Sequence, residues 1–195
     1  MTIIKNGLIF LGILFIMILL WIVCVIEPSY HRFSDFDEAA TETYFSLFKN
    51  IMATGNAAEA SVWKLPVAEG LKAGEVEEVM EFVANEHNIK NVGVLPLSTQ
   101  IEAMTGKPFR YMKIFMFCNA LTAAKMVTFS DAYSAYLPCR VTLIEDKTGK
   151  LWLYSLNMDL MIFGGEALPE ELKTEALQVK ETILDIMKRG ASGEF

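Results

Sequence analysis

Histidine is scarce in this chain, with only His31 and His87 among 195 residues. A three-histidine zinc site is therefore impossible, and a histidine-dependent triad in the body of the chain has only His87 to draw on. Cysteine is nearly as rare: Cys24, Cys118 and Cys139. Cys24 lies in an apolar run, which leaves at most one pair and excludes a disulfide framework. Basic charge is also short, with 17 Lys and Arg against 24 Asp and Glu, for a formal net charge of -7 and a pI of about 4.9. That balance argues against a nucleic-acid partner, which selects basic patches, and against broad contact with anionic lipid. Phosphate-loop spacing is missing as well. Gly164-Gly165 has no following Lys-Thr and reads as a turn. No spaced carboxylates suit glycoside or two-metal chemistry, and the pairs Glu77-Glu78 and Glu170-Glu171 read as solvated helix faces.

Apolar residues are plentiful instead, at 53% of the chain. Part of this excess is one run, LIFLGILFIMILLWIVCVI at 8–26, nineteen residues without a charge. As a helix it spans roughly 28 Å, about one hydrocarbon core. Trp21 suits the interface near its C-terminal end, and Pro28 is expected to end the helix. A cleaved signal peptide would have a shorter apolar stretch and small residues at the cut site, where this chain has Glu27-Pro28-Ser29-Tyr30. Residues 1–30 are therefore expected to be an uncleaved anchor, with 8–26 in the bilayer. Lys5 lies on one side and His31 and Arg32 on the other, so flanking charge hardly sets the orientation. A short N-terminal anchor most often leaves its N-terminus in the cytoplasm, so the remainder is expected on the periplasmic side of the inner membrane.

Residues 31–60 read as a juxtamembrane helix and linker. The helix is expected over 34–53, capped by Ser34 with Asp37 and closed by Gly55, and Phe36, Ala40, Tyr44, Phe48 and Ile51 recur at helical spacing. From 61 onward the pattern is that of an α+β domain. An extended segment over 61–66 precedes a helix over 74–88 with Val76, Val79, Met80 and Val83 on one face, and His87 in its last turn suits the helix dipole. A strand over 92–95 and a short helix over 98–104, ended by Gly106, follow. The strand over 110–118 is apolar on both faces and is expected to be central and covered on both sides. Asn119 is placed to cap a helix over 120–127. Residues 139–145 and 151–156 form a hairpin around the turn Asp146-Lys147-Thr148-Gly149. A long amphipathic helix over 169–189 buries Leu172, Ala176, Val179, Ile183 and Met187, and Gly190 is its expected cap. The order predicts a mainly antiparallel sheet packed by helices, including a long C-terminal one, behind one transmembrane helix.

The candidate chemistry is sulfur chemistry. Cys118 ends one strand and Cys139 begins another, so the two can meet as a redox pair or a soft copper site. The reading preferred here is two small buried hydrophobes, the usual state of a free cysteine. Met158 and Met161 add thioethers suited to Cu(I). Most of the eleven methionines read as packing, with Met17 in the anchor and Met80, Met112, Met116 and Met187 on core faces. Arg140 suits either an anionic ligand or an ion pair with a carboxylate.

From Trp63 onward, over about two-thirds of its length, the chain resembles the bacterial domain of unknown function 302 family. The residues that carry the resemblance are Phe117-Cys118-Asn119, Leu137-Pro138-Cys139-Arg140-Val141, Gly149-Lys150, Val92-Gly93 and Thr105-Gly106. It implies a compact α+β domain with a long C-terminal helix, commonly paired as a homodimer, and it supplies no activity for any residue. The anchor and the stretch Asn157-Met158-Asp159-Leu160 resemble a subgroup with oxidative, often sulfur-linked, metabolism. Three functions stay open: a non-catalytic accessory subunit of a membrane complex, respiratory or otherwise redox; a small redox or copper-binding module using Cys118 and Cys139; and an enzyme of unrecognised type.

Overall fold

The structure, a computed structural model, describes the backbone of residues 2–195; in the first helix only positions 7, 9–24 and 33 are described with their side chains. Helix α1, Thr2–Phe33, is continuous. It therefore runs through position 28, where the sequence reading ended it; a proline costs a helix one hydrogen bond and does not forbid it. Among the described residues no helix is long and apolar enough to cross a membrane. The expected span at 8–26 includes positions 8, 25 and 26, which lie outside the described side chains, as do the flanking charges at 5, 31 and 32.

Five strands form one antiparallel sheet in the order β1-β5-β4-β3-β2, with β1 at Val62–Pro66, β2 at Lys90–Leu95, β3 at Met112–Cys118, β4 at Cys139–Glu145 and β5 at Leu151–Leu156. The hairpin has the predicted bounds. At its turn Gly149 takes φ 88°, and the Asp146 carboxylate accepts from Thr148 N, Thr148 Oγ1, Lys150 N and Trp152 Nε1. Helices α4 (Ala73–Glu86) and α8 (Glu170–Ser192) pack together over one face of the sheet. Val76, Val79, Met80 and Val83 from α4 and Ile183, Ile186 and Met187 from α8 meet Phe115, Phe117, Val141, Leu143 and Leu153 there, all at most 1% exposed.

Two expectations change here. The strand β3 is second from the edge and β4 is the central one. Phe115 and Phe117 are buried, whereas Met112, Ile114 and Met116 on the other face are half-buried, because the layer of α4 and α8 lies on one side only. Gly190 does not cap α8. The helix runs on to Ser192 and Gly193 closes it at φ 79°. Gly190 is instead buried at the contact with α4, where an added Cβ would lie 2.7 Å from Met80 Cγ and 3.4 Å from Leu153 Cδ1. A glycine in that place lets two helices and a strand approach closely.

Helix α2 spans Ala40–Thr54 and ends at Gly55, as expected, but starts six residues later than Ser34 suggested. The intervening segment is held elsewhere. Asp37 N donates to Gly165 O at 2.9 Å, Ala167 N donates to Asp35 O at 3.1 Å, and Phe36 forms a β-bridge with Glu166. The Asp37 carboxylate accepts from Ala39 N at 3.0 Å and lies 2.6 Å from Lys173 Nζ on α8. Short helices α3 (Ala57–Ala60), α5 (Leu97–Thr105), α6 (Ala120–Phe129) and α7 (Asp159–Phe163) and a 3-10 turn at Asp131–Tyr136 complete the chain.

Candidate functional site

The junction of β3 and β4 positions the two cysteines. Phe117 and Cys139 are cross-strand partners, Cys118 follows as the last residue of β3, and Cys139 opens β4 after a cis Leu137–Pro138 peptide. Asn119 turns the chain out of β3 by capping α6, its Oδ1 accepting from Leu121 N at 3.1 Å and Thr122 N at 3.3 Å. That cap places Met126 over the strand ends. On the far side, Asn157 Oδ1 accepts from Asp159 N at 2.9 Å and starts α7, which brings in Met158 and Met161. Tyr133 ties the 3-10 turn to α7 by donating from its hydroxyl to Met161 O at 3.2 Å.

The outcome is a small cavity of about 30 Å³ lined by Cys118, Cys139, Met126, Met158, Met161 and Tyr133, with α8 closing one side. All four sulfur residues singled out in the sequence face the same space, and Met126 makes a fifth. Sequence reasoning missed Met126 and Tyr133. Met126 carried only the signal of a helix-facing position, and the turn that delivers Tyr133 has no periodicity to read. Both cysteines are free thiols. Burial pushes the Cys139 thiol up to about 11, with the neighbouring Cys118 adding to the rise and Arg140 opposing it weakly; burial raises Cys118 too. Neither is held as the thiolate that a nucleophile or a fast redox thiol requires.

Arg140 does not line this cavity, but it lines an adjoining one with Cys139, Met158 and Met161. It alternates with Cys139 along β4, pairs in register with Met116 and is exposed. Among the described residues no carboxylate forms an ion pair with it, so the expected salt bridge is not formed. Several other charges are partnered. His87 Nε2 lies 2.8 Å from Asp185 on α8, Arg189 lies 2.7 Å from Glu86, and Lys180 meets Asp159. Glu77, expected on a solvated face, instead accepts from the Tyr111 hydroxyl and from Lys113 across the edge of the sheet, and burial followed by Glu77 raises the Tyr111 hydroxyl well above its ordinary value. Among the described residues no three His, Cys, Asp or Glu side chains gather as a metal site.

A second feature lies on α2. Phe45, Phe48 and Met52 are 68%, 60% and 70% exposed and follow one another at spacings of three and four, one stripe of the helix. The domain-facing side is a different one, Ala40 with the half-buried Thr43, Leu47 and Ile51. Phe48 and Tyr44 therefore leave the stripe in which their spacing had placed them, although the Tyr44 hydroxyl still donates to Gly164 O. The sequence carried the signal for the outer stripe, but two overlapping apolar stripes cannot be ranked without knowing which one the domain covers.

The family is settled by the match of residues 63–190 to the model described as "Domain of unknown function DUF302". The chain belongs to the DUF302 family. A solved structure, "Crystal structure of uncharacterized conserved protein DUF302 from Bacillus stearothermophilus", shares the fold at a TM-score of 0.53 and 16% identity, over 66% of this chain and 96% of that one. No curated protein matches. The DUF302 match encloses both cysteines, Arg140, Met158 and Met161, and leaves α1 and α2 outside it.

Proposed function

We propose that this DUF302 protein is a membrane-tethered accessory subunit of a bacterial membrane complex that acts by contact and not by catalysis. In this reading residues 8–26 anchor it in the inner membrane with the domain on the periplasmic side. The observation that carries the reading is the Phe45, Phe48 and Met52 stripe, a large apolar surface on α2, the helix that follows α1 in the chain. Contiguous exposed apolar surface marks a contact site in a folded protein. Its place next to the anchor suits an apolar segment of a partner subunit in the same bilayer. Burial raises both thiols of the β3–β4 junction, so neither is held as a nucleophilic thiolate, which agrees with an accessory role.

Site-specific photo-crosslinking in native membranes tests the reading. A photoreactive residue at 45, 48 or 52 should give one discrete protein adduct, and one at the equally exposed Leu121 should give none. Adducts to lipid alone, or an adduct pattern that is the same at 121, would defeat it. Intact-mass measurement tests the anchor: the native chain should retain Met1 or Thr2, and a mature N-terminus beyond Ile26 would remove the tether from the proposal.

A further inference from the structure

The sulfur-lined cavity at the end of β3 has no part in contact through α2, and its composition is unusual for packing alone. Three of the chain's eleven methionines and two of its three cysteines line one void: Met126, Met158, Met161, Cys118 and Cys139. They arrive from four separate places, the end of β3, the start of β4, α6 and α7. The space the void leaves for a water-sized sphere is about 30 Å³, which suits a single ion. A water would find few polar partners in such walls.

We propose that this cavity binds one Cu(I) ion, held by the sulfurs of Cys118 and Cys139 with Met158 and Met161 as thioether ligands. The choice of metal follows from the donors. Thiolate with thioether sulfur selects Cu(I), whereas zinc completes a thiolate pair with further thiolate, imidazole or carboxylate, and hard cations require oxygen. His87 is engaged with Asp185 on the outer side of α4 and α8 and does not line the cavity. Binding involves no change of oxidation state. The metal enters already reduced, two S–H bonds break, two Cu–S bonds form, and two protons leave to solvent. Cys118 is only half-buried, which gives an entering ion a sulfur to meet first. The proposal is independent of the accessory-subunit reading, since it concerns a different part of the domain.

The test uses the full chain in mild detergent, reduced and anaerobic, titrated with Cu(I) in competition with a chromophoric Cu(I) chelator. One Cu(I) per chain should be retained, with a thiolate-to-copper charge-transfer band in the ultraviolet. Cys118→Ser and Cys139→Ser should each weaken retention by more than the roughly 10–100-fold typical of losing an outer-shell partner. Met158→Leu with Met161→Leu, which keep the volume apolar, should weaken it by about tenfold or more while thermal melting shows the fold intact. Cys24→Ser should change nothing. Retention of Cu(I) by the Cys118→Ala, Cys139→Ala double variant at the parent level would overturn the site. So would Zn(II) binding at the same stoichiometry and affinity with no effect of the methionine changes.

Discussion

Lys173 Nζ on α8 lies 2.6 Å from Asp37 Oδ2, a carboxylate only 1% exposed in the segment that joins α1 to α2. The pair links residues 136 positions apart and locks the entry of α2 to the long C-terminal helix. Burial alone would raise the Asp37 carboxyl, but the hydrogen bonds from Lys173 and Ala39 and the nearby lysine charge overcome it and hold it below the usual value. Lys173→Met should therefore destabilise the full chain by about 3 kcal/mol, because it strands a buried carboxylate. Asp37→Asn should cost less, about 1–2 kcal/mol, since an amide keeps an acceptor for Ala39. A group whose folded value is depressed adds stability that is present above its unfolded value, near 4, and is lost as the pH falls through the folded one. Denaturant melts of the parent should weaken below about pH 4, and this component should be missing from Asp37→Asn.

Gly190→Ala should destabilise by about 1–3 kcal/mol, because the new methyl meets Met80 and Leu153 in a core without slack. Gly74 offers the matched control. It lies within α4 with nothing within 4 Å of the added Cβ, so Gly74→Ala should stabilise by about 0.4–1 kcal/mol. Thermal or chemical melts of the two variants should move in opposite directions.

Metal-free Cys139 should label slowly. With its thiol pushed up to about 11, thiolate at pH 8 is only about a thousandth of the population, and alkylation should accelerate as the pH rises toward that value. Unfolding in denaturant should abolish the protection. Rapid labelling of Cys139 at pH 7 in the folded chain would contradict the burial that raises it.

Deleting residues 1–33 should leave a cooperatively folding domain, because the docking of 35–37 on 165–167 and the Lys173 pair remain. Deleting residues 1–60 removes that docking along with buried Ala40 and Ala60 and should lower the melting temperature further. Calorimetry of the two truncations should give two cooperative transitions in that order. Absence of a transition in the first would make the domain dependent on its membrane-proximal part.

By itself the sequence determined the strands, the longer helices of the domain and their order. Alternation, turn residues and caps are local signals, so the hairpin at Cys139–Glu145 and Leu151–Leu156, the Asn119 cap and the buried stripe of α8 were legible from neighbours a few residues apart. The sulfur candidates were legible as residue types. What only the tertiary structure decided is which surfaces meet. It put β4 in the centre of the sheet, buried Gly190 against Met80 where a helix cap had been expected, and turned Phe45, Phe48 and Met52 outward. It also brought Met126, Met158 and Met161 to the two cysteines from separate elements. Each of these rests on contacts between residues far apart in the chain. A periodic pattern marks an apolar face but does not name the face it packs against, and burial is assigned only when the whole sheet and its helices compete for the same surface.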